Sequence, residues 1–235
     1  MPVALITGAN RGIGFEHARR YAEQGWGVHA TARNPAAATE LQAVADAHPG
    51  TVHIHALEVT DHAAVDALAT RLQGVAIDVL LNNAGTYGPQ GFPEGAVYQS
   101  LENMDYAAWR DMLEINLLAP FKVATAFHDH VAASDMKLHV LMSSGLASIA
   151  DNIGGSYAYR SSKAGLNMLG KGMGKEWPDV ITIAMAPGWC NTDLGGPDAP
   201  VAVADSVQAQ QALFPTLTSA DSGSYLDFNG ETVAW

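Results

Sequence analysis

A glycine-rich turn, Thr7-Gly8-Ala9-Asn10-Arg11-Gly12-Ile13-Gly14, separates a short apolar run from a longer amphipathic one. Few other features restrict a fold so strongly. Glycines at a strand-to-helix turn allow backbone conformations and close approaches that a Cβ resists. They leave amide N–H groups and a helix N-terminus directed at a ligand, the arrangement that a pyrophosphate needs. The spacing is three residues and then one between glycines, which differs from the Gly-x-Gly-x-x-Gly form. With a strand before it and a helix after it, the turn marks the start of a βαβ chain that binds a dinucleotide.

The remaining pattern agrees with that start. Apolar runs over 3–7, 27–32, 51–57, 77–82, 138–143, 181–186 and 224–228 read as strands. Amphipathic segments over 12–24, 36–47, 61–72, 105–133, 157–176 and 203–214 read as helices, with Asp61 as an N-cap. Such alternation predicts an α/β fold, a doubly wound seven-stranded parallel sheet with helices on both faces. Residues 86–103 hold Gly88, Pro89, Gly91, Pro93 and Gly95 and read as a loop, long enough inside a compact fold to suggest function. No repeat or composition break divides the chain, so residues 1–235 are expected to form one domain.

Bulk chemistry narrows the partners. Hydrophobic residues make up 48% of the chain and charged ones 15%, as in a packed core rather than a disordered segment. A formal charge of −12 opposes binding to nucleic acid or to an anionic membrane. Only seven Arg and five Lys are available to meet an anionic cofactor. Cys190 is the single cysteine, which excludes an internal disulfide and cysteine-rich metal sites. With no signal-like start and no apolar run of about 18 residues, a cytoplasmic protein is expected.

Tyr159 and Lys163 stand four apart on one face of the helix over 157–176. A tyrosine with a free pKa near ~10 needs roughly 4 kcal/mol of electrostatic help to exchange protons near neutrality. A neighbouring ammonium and an oxidised nicotinamide ring supply a field of that sign. Arg33 follows the second strand, where a dinucleotide's adenosine ribose would lie, and an arginine there suits a 2′-phosphate. Arg11 is a second cation expected to reach the same phosphate. These residues favour NADP(H) over NAD(H). His53 and His55 share a strand face, but without a third histidine or a carboxylate at ligand spacing no metal site is expected.

Taken together, these motifs resemble the short-chain dehydrogenase/reductase family over nearly the whole chain. The likeness runs through Thr7–Gly14, Asn82-Asn83-Ala84-Gly85, Asn116, Ser144, Tyr159, Lys163, and Pro187-Gly188 with Thr192. Within the family, Ser156–Lys163, Pro187-Gly188-Trp189, Thr192–Gly196 and Gly223–Gly230 are most similar to the sniffer-type carbonyl reductase and C-factor branch. The resemblance implies a Rossmann-type fold with catalytic Asn116, Ser144, Tyr159 and Lys163, Asn116 holding a proton-relay water. It implies cofactor contacts from Gly8, Asn10, Arg11, Gly12, Ile13, Gly14, Arg33, Glu58, Val59, Asn83, Ala84 and Gly85. Tyr159, Lys163, Pro187, Gly188 and Thr192 complete that set.

Several departures stand out. Glu58 replaces the family's aspartate. Ser144 precedes Tyr159 by 15 residues, more than is common, so Ser143 and Ser148 remain alternatives. Gly145 and Ala147 are less typical of the branch, and Cys190 stands where a small apolar residue is usual. We read Cys190 as packing, with a reactive thiol as the alternative.

The function expected is an NADP(H)-dependent interconversion of a small-molecule carbonyl compound and an alcohol, with Tyr87, Phe92, Trp189 and Leu194 as apolar contacts. A cofactor-binding sensor of the same fold is the alternative, and a non-enzymatic interaction module is a third reading. The helices over 105–133 and 157–176 offer surfaces for a homodimer or homotetramer, as in many relatives.

Overall fold

In the computed structural model, which describes residues 1–235, β1 (Val3–Ile6), β2 (Gly27–Ala32), β3 (Val52–Ala56), β4 (Val79–Asn82), β5 (Leu138–Met142), β6 (Ile181–Ala186) and β7 (Ser224–Asp227) form one sheet. Their order is β3-β2-β1-β4-β5-β6-β7, and every neighbouring pair is parallel. Chain order therefore reverses between β1 and β4. A crevice opens beyond the carboxyl ends of strands at such a point, which is where doubly wound sheets bind ligands.

Seven helices cover the sheet: α1 (Gly12–Glu23), α2 (Thr39–Ala47), α3 (His62–Arg71), α4 (Tyr106–Leu113), α5 (Ala119–Ala132), α6 (Tyr157–Glu176) and α7 (Val203–Leu213). Successive strand residues point to opposite faces, and the core divides accordingly. Ala4, Ile6, Val28, Leu81 and Val140 pack with Ala18 and Tyr21 of α1, Leu41 of α2 and Phe214 beyond α7. Leu5 and Leu80 pack on the other side with Val65 and Leu68 of α3 and Val123 and Phe127 of α5. Burial on both faces explains why β1 and β4 read as continuous apolar runs rather than alternating ones. No helix is long and apolar enough to cross a membrane.

Two expected helices are subdivided. The segment read as one helix over 105–133 consists of α4, a π-helical turn Glu114–Leu118, and α5. Pro120 lacks an amide hydrogen, so the Asn116 carbonyl cannot receive its usual i+4 bond and the helix changes register there. The helix read over 36–47 begins instead as a separate 3₁₀ turn, Pro35–Ala37, before α2. Asp61 caps α3 as expected, accepting from the Ala64 amide at 3.0 Å.

Two fully buried histidines are held neutral. His139 Nε2 faces the Asn82 amide nitrogen at 2.8 Å, so that ring nitrogen accepts, and burial pushes the pKa down to about 3. His17 meets the Gln210 amide oxygen at 3.2 Å, and burial pushes it down to about 4. Between those values and the ordinary 6.5, the unfolded chain binds protons that the folded chain refuses. Stability is thus retained above pH 6.5 and lost as pH falls toward 4, at about 1.4 kcal/mol per pH unit for each histidine. Urea unfolding from pH 6.5 to 4.5 should show this slope, and His139→Gln should flatten it by about one proton.

Candidate active site

The glycine turn is sewn to the end of β4. Thr7 Oγ1 accepts from the Asn83 and Ala84 amides, both at 3.0 Å. Asn83 Nδ2 returns bonds to the Thr7 carbonyl at 2.9 Å and the Gly8 carbonyl at 3.1 Å. Space there admits only glycine at position 14, where a Cβ would lie 2.6 Å from the Gly8 carbonyl oxygen and overlap the Asn83 amide. Arg11 precedes α1 in extended conformation with no side-chain cap. The first amides of α1 are therefore left for an anion, and the turn fits a pyrophosphate.

A cavity of about 940 Å³ runs from this turn across the crevice. Gly8, Asn10, Arg11, Gly12 and Ile13 line one end, with Arg33, Glu58 and Val59 at the neighbouring strand tips. Asn83, Ala84 and Gly85 form its floor, and Ser144, Tyr159, Lys163, Pro187, Gly188 and Thr192 lie further along. Of the residues predicted for the site, Gly14 and Asn116 stand behind this wall instead of on it. Arg33 is largely exposed and 4.0 Å from the Glu58 carboxylate, a loose pair that leaves the guanidinium available. Glu58 Oε1 also lies 3.3 Å from the Thr60 amide, which holds the carboxylate at the strand end.

Tyr159 and Lys163 face the cavity from α6. Lys163 Nζ donates to the Met142 carbonyl at 2.8 Å and lies 5.9 Å from the Tyr159 ring centre. Burial pushes the ammonium down to about 8. The expectation that Lys163 lowers the tyrosine's pKa does not hold in the protein alone. Burial dominates and pushes the Tyr159 phenol up to about 12, opposed by a hydrogen-bonding influence from Ser144.

The three candidate serines separate cleanly. Ser143 is buried, and its hydroxyl is spent on Asn167 Oδ1 at 2.5 Å. Ser148 is buried and bonded to Asp151 at 3.2 Å. Ser144 lines the cavity together with Ser143 and Tyr159, and its hydroxyl accepts from the Leu146 amide at 3.2 Å while also acting on the Tyr159 phenol. Asn116 uses its whole carboxamide in the framework. It accepts from the Thr86 amide at 2.8 Å and donates to the Thr86 carbonyl at 2.8 Å and to Ser162 Oγ at 3.1 Å.

Two loops roof the cavity. The Phe92 amide donates to the Leu194 carbonyl at 2.9 Å, and Phe92 meets Trp189 edge-on with ring centres 5.5 Å apart. Arg11 lines the same cavity as Arg33, with its guanidinium turned to a roof carboxylate. It pairs with Asp193 in the roof, 182 residues away in sequence. Cys190 is buried, donates to the Pro187 carbonyl at 3.2 Å, and has its thiol pKa raised by burial, the behaviour of a packing residue.

Tyr225 and Val233 adjoin the site without a motif that assigns them to it. Tyr225 on β7 donates its hydroxyl to the Ser144 carbonyl at 2.5 Å. Val233 folds back after β7 to line the cavity, its amide bonded to the Tyr225 carbonyl at 2.9 Å. A tyrosine in a terminal apolar run carries no local sign of such a partner.

One expectation about histidines is corrected. A third ring, His29 on β2, does lie against His53 and His55, each ring centre 5.2 Å away, with its Nδ1 2.9 Å from His55 Nε2. Parallel pairing of β2 with β3 sets His29 opposite His53, which spacing along one strand cannot reveal. The rings stack, and no group of three or more His, Cys, Asp or Glu side chains is arranged to hold a metal ion.

Comparison with known proteins agrees with this architecture. The family profile described as short chain dehydrogenase matches residues 2–200. The C-signal protein of Myxococcus xanthus is 35% identical over 172 residues, covering 72% of this chain and 99% of that protein. The NADPH-bound carbonyl reductase from chicken fatty liver superposes with a TM-score of 0.88 at 31% identity, covering all of both chains. The carbonyl reductase Sniffer of Drosophila melanogaster gives 0.88 at 28% identity, also over all of both chains. The resemblance to the sniffer and C-factor branch is thereby borne out.

Burial of Lys163 has a measurable cost. Between the folded value of about 8 and the unfolded 10.5, the unfolded chain binds more protons, so stability rises with pH across that window. Relative to Lys163→Met, the unsubstituted protein should gain up to roughly 3 kcal/mol between pH 8 and 10.5. Denaturant unfolding at several alkaline pH values checks the sign, and a parallel pH dependence in both proteins would refute it.

Proposed function

The chain belongs to the short-chain dehydrogenase family, and from that premise we propose an NADP(H)-dependent oxidoreductase that interconverts a carbonyl compound and an alcohol. One observation carries the reading. Ser144, Tyr159 and Lys163 share one cavity with the glycine turn and Arg33, so a dinucleotide lying along it would end beside the three polar side chains. NADPH, when bound, would supply the hydride.

This chain's residues would do the rest. Ser144, free of the core, would donate a hydrogen bond to the substrate oxygen and stabilise the charge developing there. Tyr159, kept protonated by its burial, would give its phenolic proton to that oxygen. Lys163 would hold the cofactor's ribose hydroxyls and, with water positioned near the Asn116 turn, return the proton to Tyr159. Tyr87, Phe92, Trp189 and Leu194, all lining the cavity, would supply apolar contacts for the substrate. A sensor of the same fold has no need of this proton-transfer set, and its cost in buried ionisable groups favours turnover.

Arg33 supports NADP(H), since its guanidinium is the cation at the adenosine end not closely committed to a carboxylate. An arginine contact to phosphate is worth about 1.5–3 kcal/mol, roughly tenfold to hundredfold in affinity. Arg33→Asp should therefore weaken NADPH by more than about tenfold in a fluorescence titration while sparing NADH. Equal affinity for the two cofactors in the unsubstituted protein would remove this role. Tyr159→Phe tests the chemistry. It should lower turnover of any carbonyl substrate by at least about 10²-fold at unchanged NADPH affinity, and a near-normal rate would exclude the tyrosine.

A further inference from the structure

α6 begins without a cap of its own. Ser156, at its N-cap, is left-handed with φ 47° and makes no side-chain capping bond. Unpaired amides at a helix start need partners. Two of them find the same distant residue. The Tyr157 amide donates to the Gln99 carbonyl at 3.0 Å, and the Tyr159 amide donates to Gln99 Oε1 at 2.9 Å.

Gln99 is fully buried, and the rest of its carboxamide is also committed. Nε2 donates to the Tyr87 carbonyl at 2.8 Å and the Gly95 carbonyl at 3.0 Å. Tyr87 in turn lays its ring against Tyr159, centres 4.8 Å apart, and bonds its hydroxyl to Ser156. One side chain thus ties the roof segment over 87–99 to the backbone of the residue proposed to move the proton.

We propose that Gln99 is a positioning residue that sets Tyr159 in register with the substrate roof, so that roof closure and placement of the proton donor are one event. The inference rests on the reading of Tyr159 as proton donor. Misplacement of a reacting group by about 1 Å can cost roughly 10²-fold, and the Tyr159 amide is anchored from outside its own helix. Glutamate at this position keeps the acceptor for the Tyr159 amide but leaves the two roof carbonyls at most one donor, the carboxyl O–H. Methionine keeps the volume and loses both functions.

The test compares Gln99→Met, Gln99→Glu and Tyr159→Phe with the unsubstituted protein, using NADPH and 4-nitrobenzaldehyde as probe, from pH 6 to 9. Gln99→Met should lower kcat at least about tenfold with NADPH KM unchanged. Gln99→Glu should recover most of kcat while raising KM for the aldehyde, a split that general loosening of the fold would not produce. Amide hydrogen exchange reads the same coupling without turnover: Gln99→Met should speed exchange at Tyr159 and across 87–99 together, by about tenfold or more. Normal kcat and normal exchange in Gln99→Met overturn the proposal, as does loss of kcat that glutamate fails to restore. Normal turnover in Tyr159→Phe would instead overturn the role of the tyrosine.

Discussion

Chain order reverses between β1 and β4, and four hydrogen bonds between Thr7–Gly8 and the Asn83–Ala84 segment tie the ends of these two strands together. Those bonds set the floor of the crevice. They bring the glycine turn within van der Waals distance of β4, so that position 14 has no room for a side chain. They also aim the chain after β4 toward Thr86, where Asn116 takes it up through both backbone groups. From there the path leads to α6 through Ser162.

The wall that carries Tyr159 and Lys163 is built against the grain of folding. An amine and a phenol that would be better solvated in water are buried, and each is shifted toward its neutral form. Such groups are costly unless hydrogen-bonded, and Lys163 recovers part of the cost through the Met142 carbonyl. Burial thus holds the phenol protonated and moves its pKa away from neutrality, whereas it brings the Lys163 ammonium, at about 8, toward it.

The roof is held by pairs far apart in sequence. Arg11 reaches Asp193, Phe92 reaches Leu194, and Gln99 reaches the start of α6. The Arg11–Asp193 pair is exposed and worth little by itself. The Gln99 bonds are buried and shielded from water, so they carry more of the geometry. The roof is consequently anchored on the α6 side and lightly latched on the glycine-turn side.

Local pattern was enough to establish the seven strands, the glycine turn, the Asp61 cap and the helical pairing of Tyr159 with Lys163. Each depends on residues within a turn or two of one another, where period, capping and glycine freedom act directly. The family resemblance added Asn116, Ser144 and the Pro187-Gly188 segment through their order along the chain. Other features came only with the tertiary structure: the change of register at Asn116, the bonding of Ser143 to Asn167, Arg11 bound to Asp193, and His29 beside His53. Gln99 as the cap of α6 belongs with them. Periodicity reports which face a residue occupies, whereas a hydrogen bond between residues 60 or 182 positions apart depends on how strands and loops are brought together.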